Sequence, residues 1–256
     1  MAIDRKSIYY QRIQEQKDLN VKKQIEEVHR TNPSYGHRRI AIALGIGNNT
    51  ALRIMRKYAI KPPRRKIKKL YLTRSVTNHS YTNLIKEMIP TKPHQIFVSD
   101  LTYIKFMGRH IYLVTIEDIF TREIISAEVS DKHDSTLVLK TLKNAINKYN
   151  ACEIFHCDQG SEFMAQVCTS FLEMHGVKIS VSDKASPWQN GYKESFFGRF
   201  KEENGDLNRF ETLGELVEEI YSYLYYYNNV RIHTKLKTNP IDFKNRYTLK
   251  VTDNVS

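Results

Sequence analysis

Cysteine is scarce in this 256-residue chain: Cys152, Cys157 and Cys168 are the only three. They set no disulfide framework, which fits a reducing compartment, and no histidines stand near them at zinc-ligand spacing. Buried packing is the role left to them. Long apolar runs are also missing, so no membrane span is expected. The opening Met1-Ala2-Ile3-Asp4-Arg5-Lys6 lacks the apolar core of a signal peptide. A soluble intracellular protein is the expectation. No sustained heptad pattern precedes residue 31, which gives no support to a coiled-coil zipper there.

What is present points to a globular chain, with 41% hydrophobic and 27% charged residues. The length suits one sizeable core plus a small second domain. Net charge is +12, and its placement matters more than its size. Residues 1–74 hold 19 Lys and Arg against 5 Asp and Glu; the other 182 residues hold 21 against 23. The whole positive excess therefore sits at the front. A one-sided basic segment is the footprint of phosphate-backbone binding, whereas a merely soluble basic surface would spread its charge.

Residues 6–30 read as a helix with Val21, Ile25 and Val28 on one stripe, stopped by Asn32-Pro33. Residues 35–44 resume a helix, Gly45-Ile46-Gly47 breaks it, and Asn48, Asn49 and Thr50 offer caps for a third helix over 51–58. Two short helices around a glycine turn suggest a helix-turn-helix. In the third, Leu52, Met55 and Ala59 are expected inside, with Arg53, Arg56 and Lys57 outside where a recognition helix meets DNA. Many short helical hairpins bind nothing, so the pattern alone is modest. The run Lys61-Pro62-Pro63-Arg64-Arg65-Lys66-Ile67-Lys68-Lys69 is an extended linker by its prolines. It serves equally as a solvated tether or as an arm along phosphates.

From Gln95 the rhythm becomes that of strands: 95–106, 110–117 and 123–129. Helix 135–149, strand 153–157, helix 164–175 and strand 177–181 come next. Residues 183–189 read as a loop and 211–229 as a tyrosine-rich helix whose rings are assigned to packing rather than base stacking. Residues 250–256 read as a frayed tail. Trp188, the only tryptophan, suits either a cap on the core or a DNA contact.

Three acids stand at element ends. Asp100 closes Ile96-Phe97-Val98-Ser99, Asp158 closes Glu153-Ile154-Phe155-His156-Cys157, and Glu194 opens a helical pattern after Asn190-Gly191. Converging carboxylates can hold a hard divalent cation, and two such ions clamp the oxygens of an in-line phosphoryl transfer. Among 28 acids, any three could also be ordinary surface residues. No Ser, Tyr or Cys is placed among them as a covalent nucleophile. Asn190, Glu194 and Lys201 fall near one helical face, while Phe196, Phe197 and Phe200 fill other sides.

The blocks Asp100-Leu101-Thr102-Tyr103-Ile104, His156-Cys157-Asp158-Gln159-Gly160-Ser161-Glu162-Phe163 and Ser186-Pro187-Trp188-Gln189-Asn190-Gly191-Tyr192-Lys193-Glu194-Ser195-Phe196 resemble the catalytic blocks of Insertion Sequence 3 family transposases, second-frame product. The 35 residues between Asp158 and Glu194, and Lys201 seven past Glu194, match that family's habit. Tyr35-Gly36-His37-Arg38-Arg39-Ile40 resembles its helix-turn-helix, and Tyr226-Tyr227-Asn228-Asn229-Val230-Arg231-Ile232-His233 with Asn239-Pro240-Ile241-Asp242-Phe243 its closing block. The likeness covers residues 31 to 245.

The expected fold is α/β: a ribonuclease-H-like, integrase-type core after a small all-α helix-turn-helix domain. Three strands, then alternating helices and strands, is the order of that fold, whose first and fourth strands are neighbours. The expected division is 1–60 helix-turn-helix, 61–93 basic linker, 94–204 core and 205–256 helical extension. The resemblance implies a DNA transposase with Asp100, Asp158 and Glu194 as catalytic, metal-binding residues. It implies two magnesium ions, with manganese a substitute, and copy-out–paste-in movement through a circular intermediate. Its partners would be double-stranded element ends and target DNA, and a homo-oligomer of at least two copies, in the bacterial cytoplasm on the nucleoid. The DNA-binding set is Arg38, Arg39, Arg53, Arg56, Lys57, Arg64, Arg65, Lys66, Lys68, Trp188 and Lys201. The competing reading is an inactive or domesticated DNA-binding protein, kept open by the missing zipper; a decayed remnant should have lost an acid, and all three are present. A ribonuclease-H-type nuclease is disfavoured by the DNA-binding front.

Overall fold

The computed structural model describes residues 5–63, 81–182 and 191–253, with side chains over 13–63, 81–182 and 195–250. The basic run with Arg64, Arg65, Lys66 and Lys68, and the loop with Trp188, lie outside the described residues. No helix among the described residues is long and apolar enough to cross a membrane. The chain forms two compact units, one holding the front helices plus Arg231–Asn239, the other holding the sheet and the segment from Pro240 to the C-terminus.

In the front unit α1 (Arg5–Thr31) is followed by α2 (His37–Leu44) and α3 (Asn48–Lys57). Gly45 ends α2 at φ +64°, a left-handed conformation that costs glycine little. α3 begins at Asn48 after Gly47, with no side-chain cap bond, so the asparagines lie inside the helix rather than capping it from before Ala51. Its buried residues are Ala51, Ile54 and Met55. Leu52 is half-buried and Ala59 exposed, a rotation from the expected face. These side chains meet Ile25, Tyr35, Ile40 and Ala41 in one core.

Arg231–Asn239 completes this unit. The Ile232 amide donates to the Tyr35 hydroxyl at 2.7 Å, and Arg39 Nε donates to the Ile232 carbonyl at 2.9 Å. Tyr35 and Arg39 thus satisfy both polar groups of one residue's main chain, as a strand neighbour would. A second tie is electrostatic. Asp18 of α1 is buried and accepts from Arg53 at 2.8 and 2.6 Å and from Lys57 at 2.8 Å. Arg53 above all holds the Asp18 carboxyl far below its ordinary range, against the opposing effect of burial.

The larger unit is built on a five-stranded sheet in the order β3-β2-β1-β4-β5, from β1 (Ile96–Phe106), β2 (Arg109–Asp118), β3 (Ile124–Ser130), β4 (Ile154–Cys157) and β5 (Lys178–Val181). The first three strands are antiparallel neighbours; β4 and β5 run parallel to β1. α4 (Ser135–Tyr149), started by Asp134 accepting from the Leu137 amide, and α5 (Gln166–Met174) cover one face. α6 (Gly191–Asn204) and α7 (Leu213–Asn229) cover part of the other, where Phe196, Phe197 and Phe200 meet Ile104, Leu113, Ile220 and Tyr227. All three cysteines are buried and free.

β3 is the sheet edge, and α7 covers it. Asn228 accepts from the Ile124 amide and donates to its carbonyl, both at 2.9 Å, and the Tyr221 hydroxyl donates to Ala127 O at 3.3 Å. An exposed edge would template pairing with another chain. α8 (Pro240–Asp253) replaces the tail expected from Lys250. Lys244 of α8 donates to Glu123 at 2.6 Å, beside Lys148 at 3.2 Å and the Tyr149 hydroxyl at 2.7 Å. Burial would raise the Glu123 carboxyl, but these partners prevail and hold it below its usual value.

Asp18→Asn should destabilise the front unit by about 2 kcal/mol, the scale of a lost charge-assisted bond. Because the folded carboxyl is held below its ordinary 3.8, its contribution is complete above that value and disappears as the pH falls below it. Amide exchange in α1 and α3 of the full chain at pH 7 and pH 3 checks this: the variant's deficit should shrink at the lower pH.

Candidate active site

β1 and β4 bring two of the three expected acids together. The last pair of their parallel register is Val98 with His156, and Asp100 and Asp158 each come two residues further on. β4 stops at Cys157 while β1 runs on to Phe106, so the sheet splits where the acids stand. Both are half-buried. His156 beneath them is fully buried, bonded to Ser180 Oγ at 2.9 Å, and burial drives it down to about 4. It is a neutral core residue that brings no charge to the acids above it.

Asp158 is set by its own loop. Its Oδ1 accepts from the Gly160 amide at 3.0 Å. A Cβ on Gly160 would stand 2.7 Å from Glu162 Oε2 and 3.0 Å from Asp158 Oδ1, so a larger residue there would displace the Glu162 carboxylate. Glu162 is buried and paired with His133 at 2.7 Å, and His133 stacks on Tyr112. Burial first, and the Glu162 charge after it, push the Asp158 carboxyl up, opposed by the Gly160 amide. Glu162 and His133 went unnoticed as site neighbours in the sequence; the signal was a second acid four residues after Asp158.

Glu194 lies in the first turn of α6, with its side chain outside the described set. The phenylalanines one turn on fix that helix against β1 and β2. Lys201 is half-buried on the same helix. Its ammonium donates to Thr102 Oγ1 at 2.7 Å and lies 5.1 Å from the centre of the Tyr103 ring. The donor set suits a hard cation in kind: Asp100 is a carboxylate on β1, Asp158 one just past the end of β4, and Glu194 belongs to the first turn of α6.

The expected DNA contacts divide in the front unit. Arg38 and Arg56 are exposed. Arg39 is buried and committed to Ile232, which removes it from a DNA-facing set. Arg53 and Lys57 reach solvent, at 48% and 39% side-chain exposure, but share their charge with Asp18. The sequence signal was Asp18 itself, an acid in register with the apolar stripe of Val21, Ile25 and Val28.

These strands, their order and the paired acids define a class: an α/β, ribonuclease-H-like core with a helical front unit. An integrase core domain family matches residues 90–187, and a second family of that description matches 175–240. Over 240 residues the chain is 31% identical to the putative transposase InsK for insertion sequence element IS150 of Escherichia coli (strain K12), covering 90% of this chain and 84% of that protein. It is 32% identical over 229 residues to the transposase for insertion sequence element IS904 of Lactococcus lactis subsp. lactis (strain IL1403), covering 84% and 89%. A chain of the simian T-cell lymphotropic virus intasome, solved with a PP2A regulatory subunit, shares the fold at TM-score 0.52 and 15% identity, over 86% of this chain and 74% of that one. The chain belongs to the insertion-sequence transposase family of Insertion Sequence 3 type, with an integrase catalytic core.

This geometry has two measurable outcomes. Asp158→Asn keeps the acceptor for the Gly160 amide and removes a disfavoured charge. In metal-free buffer its melting temperature should equal or exceed wild type, and added Mg2+ should raise it less than it raises wild type. Replacing Arg38 and Arg56 together should lower the slope of log affinity for duplex DNA against log salt by up to about 2 units, at roughly 0.9 per phosphate. Arg39→Ala should act on melting instead.

Proposed function

We propose that this chain is a DNA transposase that binds the ends of its insertion sequence and carries out metal-dependent strand cleavage and strand transfer. The observation that supports the reading is the register of β1 with β4, whose last pair, Val98 with His156, lies two residues before Asp100 and Asp158. Asp100, Asp158 and Glu194 would hold two magnesium ions, or manganese in their place. When bound, these neutralise charge on the transferring phosphate and activate water. Strand positions preorganise two donors, and the packed phenylalanines of α6 carry the third.

Cys157, next to Asp158, is fully buried, and burial first and then the Asp158 charge keep its thiol protonated. That supports direct attack by water rather than a covalent protein intermediate. In cleavage a water oxygen bonds to phosphorus, and the 3′ oxygen leaves and takes up a proton. In transfer that 3′ hydroxyl attacks a phosphodiester of the target and a new 3′ hydroxyl leaves. One phosphodiester forms for each one broken in the second step, so no external energy source is required. Arg38 and Arg56, with the basic run Arg64, Arg65, Lys66 and Lys68, would grip the duplex, and Trp188 and Lys201 would meet it near the acids. Joining two ends calls for at least two copies, acting in the bacterial cytoplasm.

Glu194→Gln tests the chemistry. It should fold, bind end DNA, and fail at both cleavage and joining, with a smaller melting gain from Mg2+ than wild type. A strand-cleavage assay on end DNA beside melting curves is the measurement. Cleavage at the wild-type rate would remove Glu194 from the mechanism, and a loss of about 3 kcal/mol or more with chemistry intact would make it a structural ion pair.

A further inference from the structure

The segment Arg231–Asn239 joins the front unit from the far end of the chain, and it brings charge of one sign. It holds three Lys and Arg and no acid, although the rest of residues 75–256 hold 18 Lys and Arg against 23 Asp and Glu. A cationic piece of an otherwise acidic stretch is thus added to a unit that is already basic. Its start is pinned. The main chain of Ile232 is held by Tyr35 and Arg39, which bracket the exposed Arg38 at the start of α2. A closed turn follows: the His233 amide donates to the Thr238 carbonyl at 2.9 Å, and the His233 carbonyl accepts from the Leu236 and Lys237 amides at 3.0 and 2.8 Å. Thr234, Lys235 and Lys237 are exposed on it. Neither lysine has an acid partner among the described residues. Lys237 also stands at φ +59°, a left-handed conformation that glycine adopts at least cost and that strains a lysine. Strain of this kind persists where a side chain is needed for function.

We infer that the turn 233–238 is part of the DNA-contacting surface of the front unit, with Lys235 and Lys237 engaging duplex phosphates next to those met by Arg38. The inference rests on the reading of the front unit as the part that grips DNA. Cations that serve the fold meet carboxylates in this chain: Arg53 and Lys57 on Asp18, Lys148 and Lys244 on Glu123. Lys235 and Lys237 keep their full charge for an anion from outside, and two like charges on one short turn repel until such an anion arrives. An ammonium meets a phosphate as a point charge and reads no base, so the turn adds grip and register rather than sequence preference. Its main-chain bonds fix the turn beforehand, and less freedom is then lost when DNA binds.

The test titrates the full chain with a short random-sequence duplex over a salt series, without metal so that no strand is cut, and reads melting temperature alongside. Lys237→Gly and Lys237→Ala should each lower the slope of log affinity against log salt by about 0.9, the share of one phosphate. Lys235→Ala combined with Lys237→Gly should lower it by up to about 2. Melting separates the two substitutions at 237. Glycine relieves the left-handed strain and should melt at or above wild type, whereas alanine shares the strain and should melt no higher than wild type. Lys143→Ala with Lys178→Ala removes the same charge from exposed positions of the sheet unit and should leave the slope near wild type. A turn variant that keeps the wild-type slope, or a sheet-unit control that lowers it equally, would overturn the inference, while a slope lowered by replacing Arg38 and Arg56 would still uphold the front unit's role. Wild type with no affinity for the duplex would overturn that role, and the inference with it.

Discussion

Everything at the candidate site depends on the short parallel pairing of β1 with β4, three residue pairs ending at Val98 and His156. Asp100 and Asp158 stand two residues past its last pair, both half-buried. Burial, and after it the Glu162 charge, disfavour the Asp158 carboxylate there. The pairing survives because its remaining positions are apolar and closed: Ile96, Phe97, Val98, Ile154 and Phe155 are all buried. Each buried side chain of that size contributes roughly 1.5–3 kcal/mol, so a few of them outweigh the repulsion. Asp158 is thereby left in unfavourable electrostatics, and the neutral His156 below does nothing to relieve it.

The same chain treats its cations in two ways, and net charge does not distinguish them. Arg53 and Lys57 converge on Asp18, Lys148 and Lys244 on Glu123, and Arg39 on a peptide carbonyl. Each of these offsets the burial of a polar group, because a buried carboxylate without partners would be far costlier than the pair. Arg38 and Arg56 stand at the surface instead. The basic excess of the front segment therefore overstates what it presents to a phosphate backbone.

The strands and helices of the sheet unit were legible because each buries one face and shows it as a period. α4 runs over the residues its periodicity predicts, and Asp158 falls just past the end of β4 as the break after Cys157 implies, whereas Asp100 lies within β1, which continues to Phe106. Less legible were the contacts between residues far apart in the chain: Asp18 with Arg53, Tyr35 with Ile232, Thr102 with Lys201, Asn228 with Ile124. A polar side chain looks the same in sequence whether it meets water or a partner a hundred residues away. The rotation of α3 misled for a related reason. Ile54 and Leu52 are both apolar, and only packing against Ile25 and Ile40 decides which turns inward.

The closing block is accounted for by the same long-range logic. Between α7 and α8 the chain must finish an edge strand, complete another unit and turn back. Asn228 supplies the amide and carbonyl that a sixth strand would have offered to Ile124. Ile232, four residues on, gives its own main chain to Tyr35 and Arg39. Pro240 then opens α8, a first-turn position where a missing N–H costs nothing, and Lys244 one turn later reaches Glu123. Three of these four anchors are main-chain hydrogen bonds made by side chains or to them. Main-chain bonds fix position without depending on the shape of neighbouring side chains. What this segment fixes physically is where the chain lies, at the edge of β3 on one side and beside Tyr35 and Arg39 on the other.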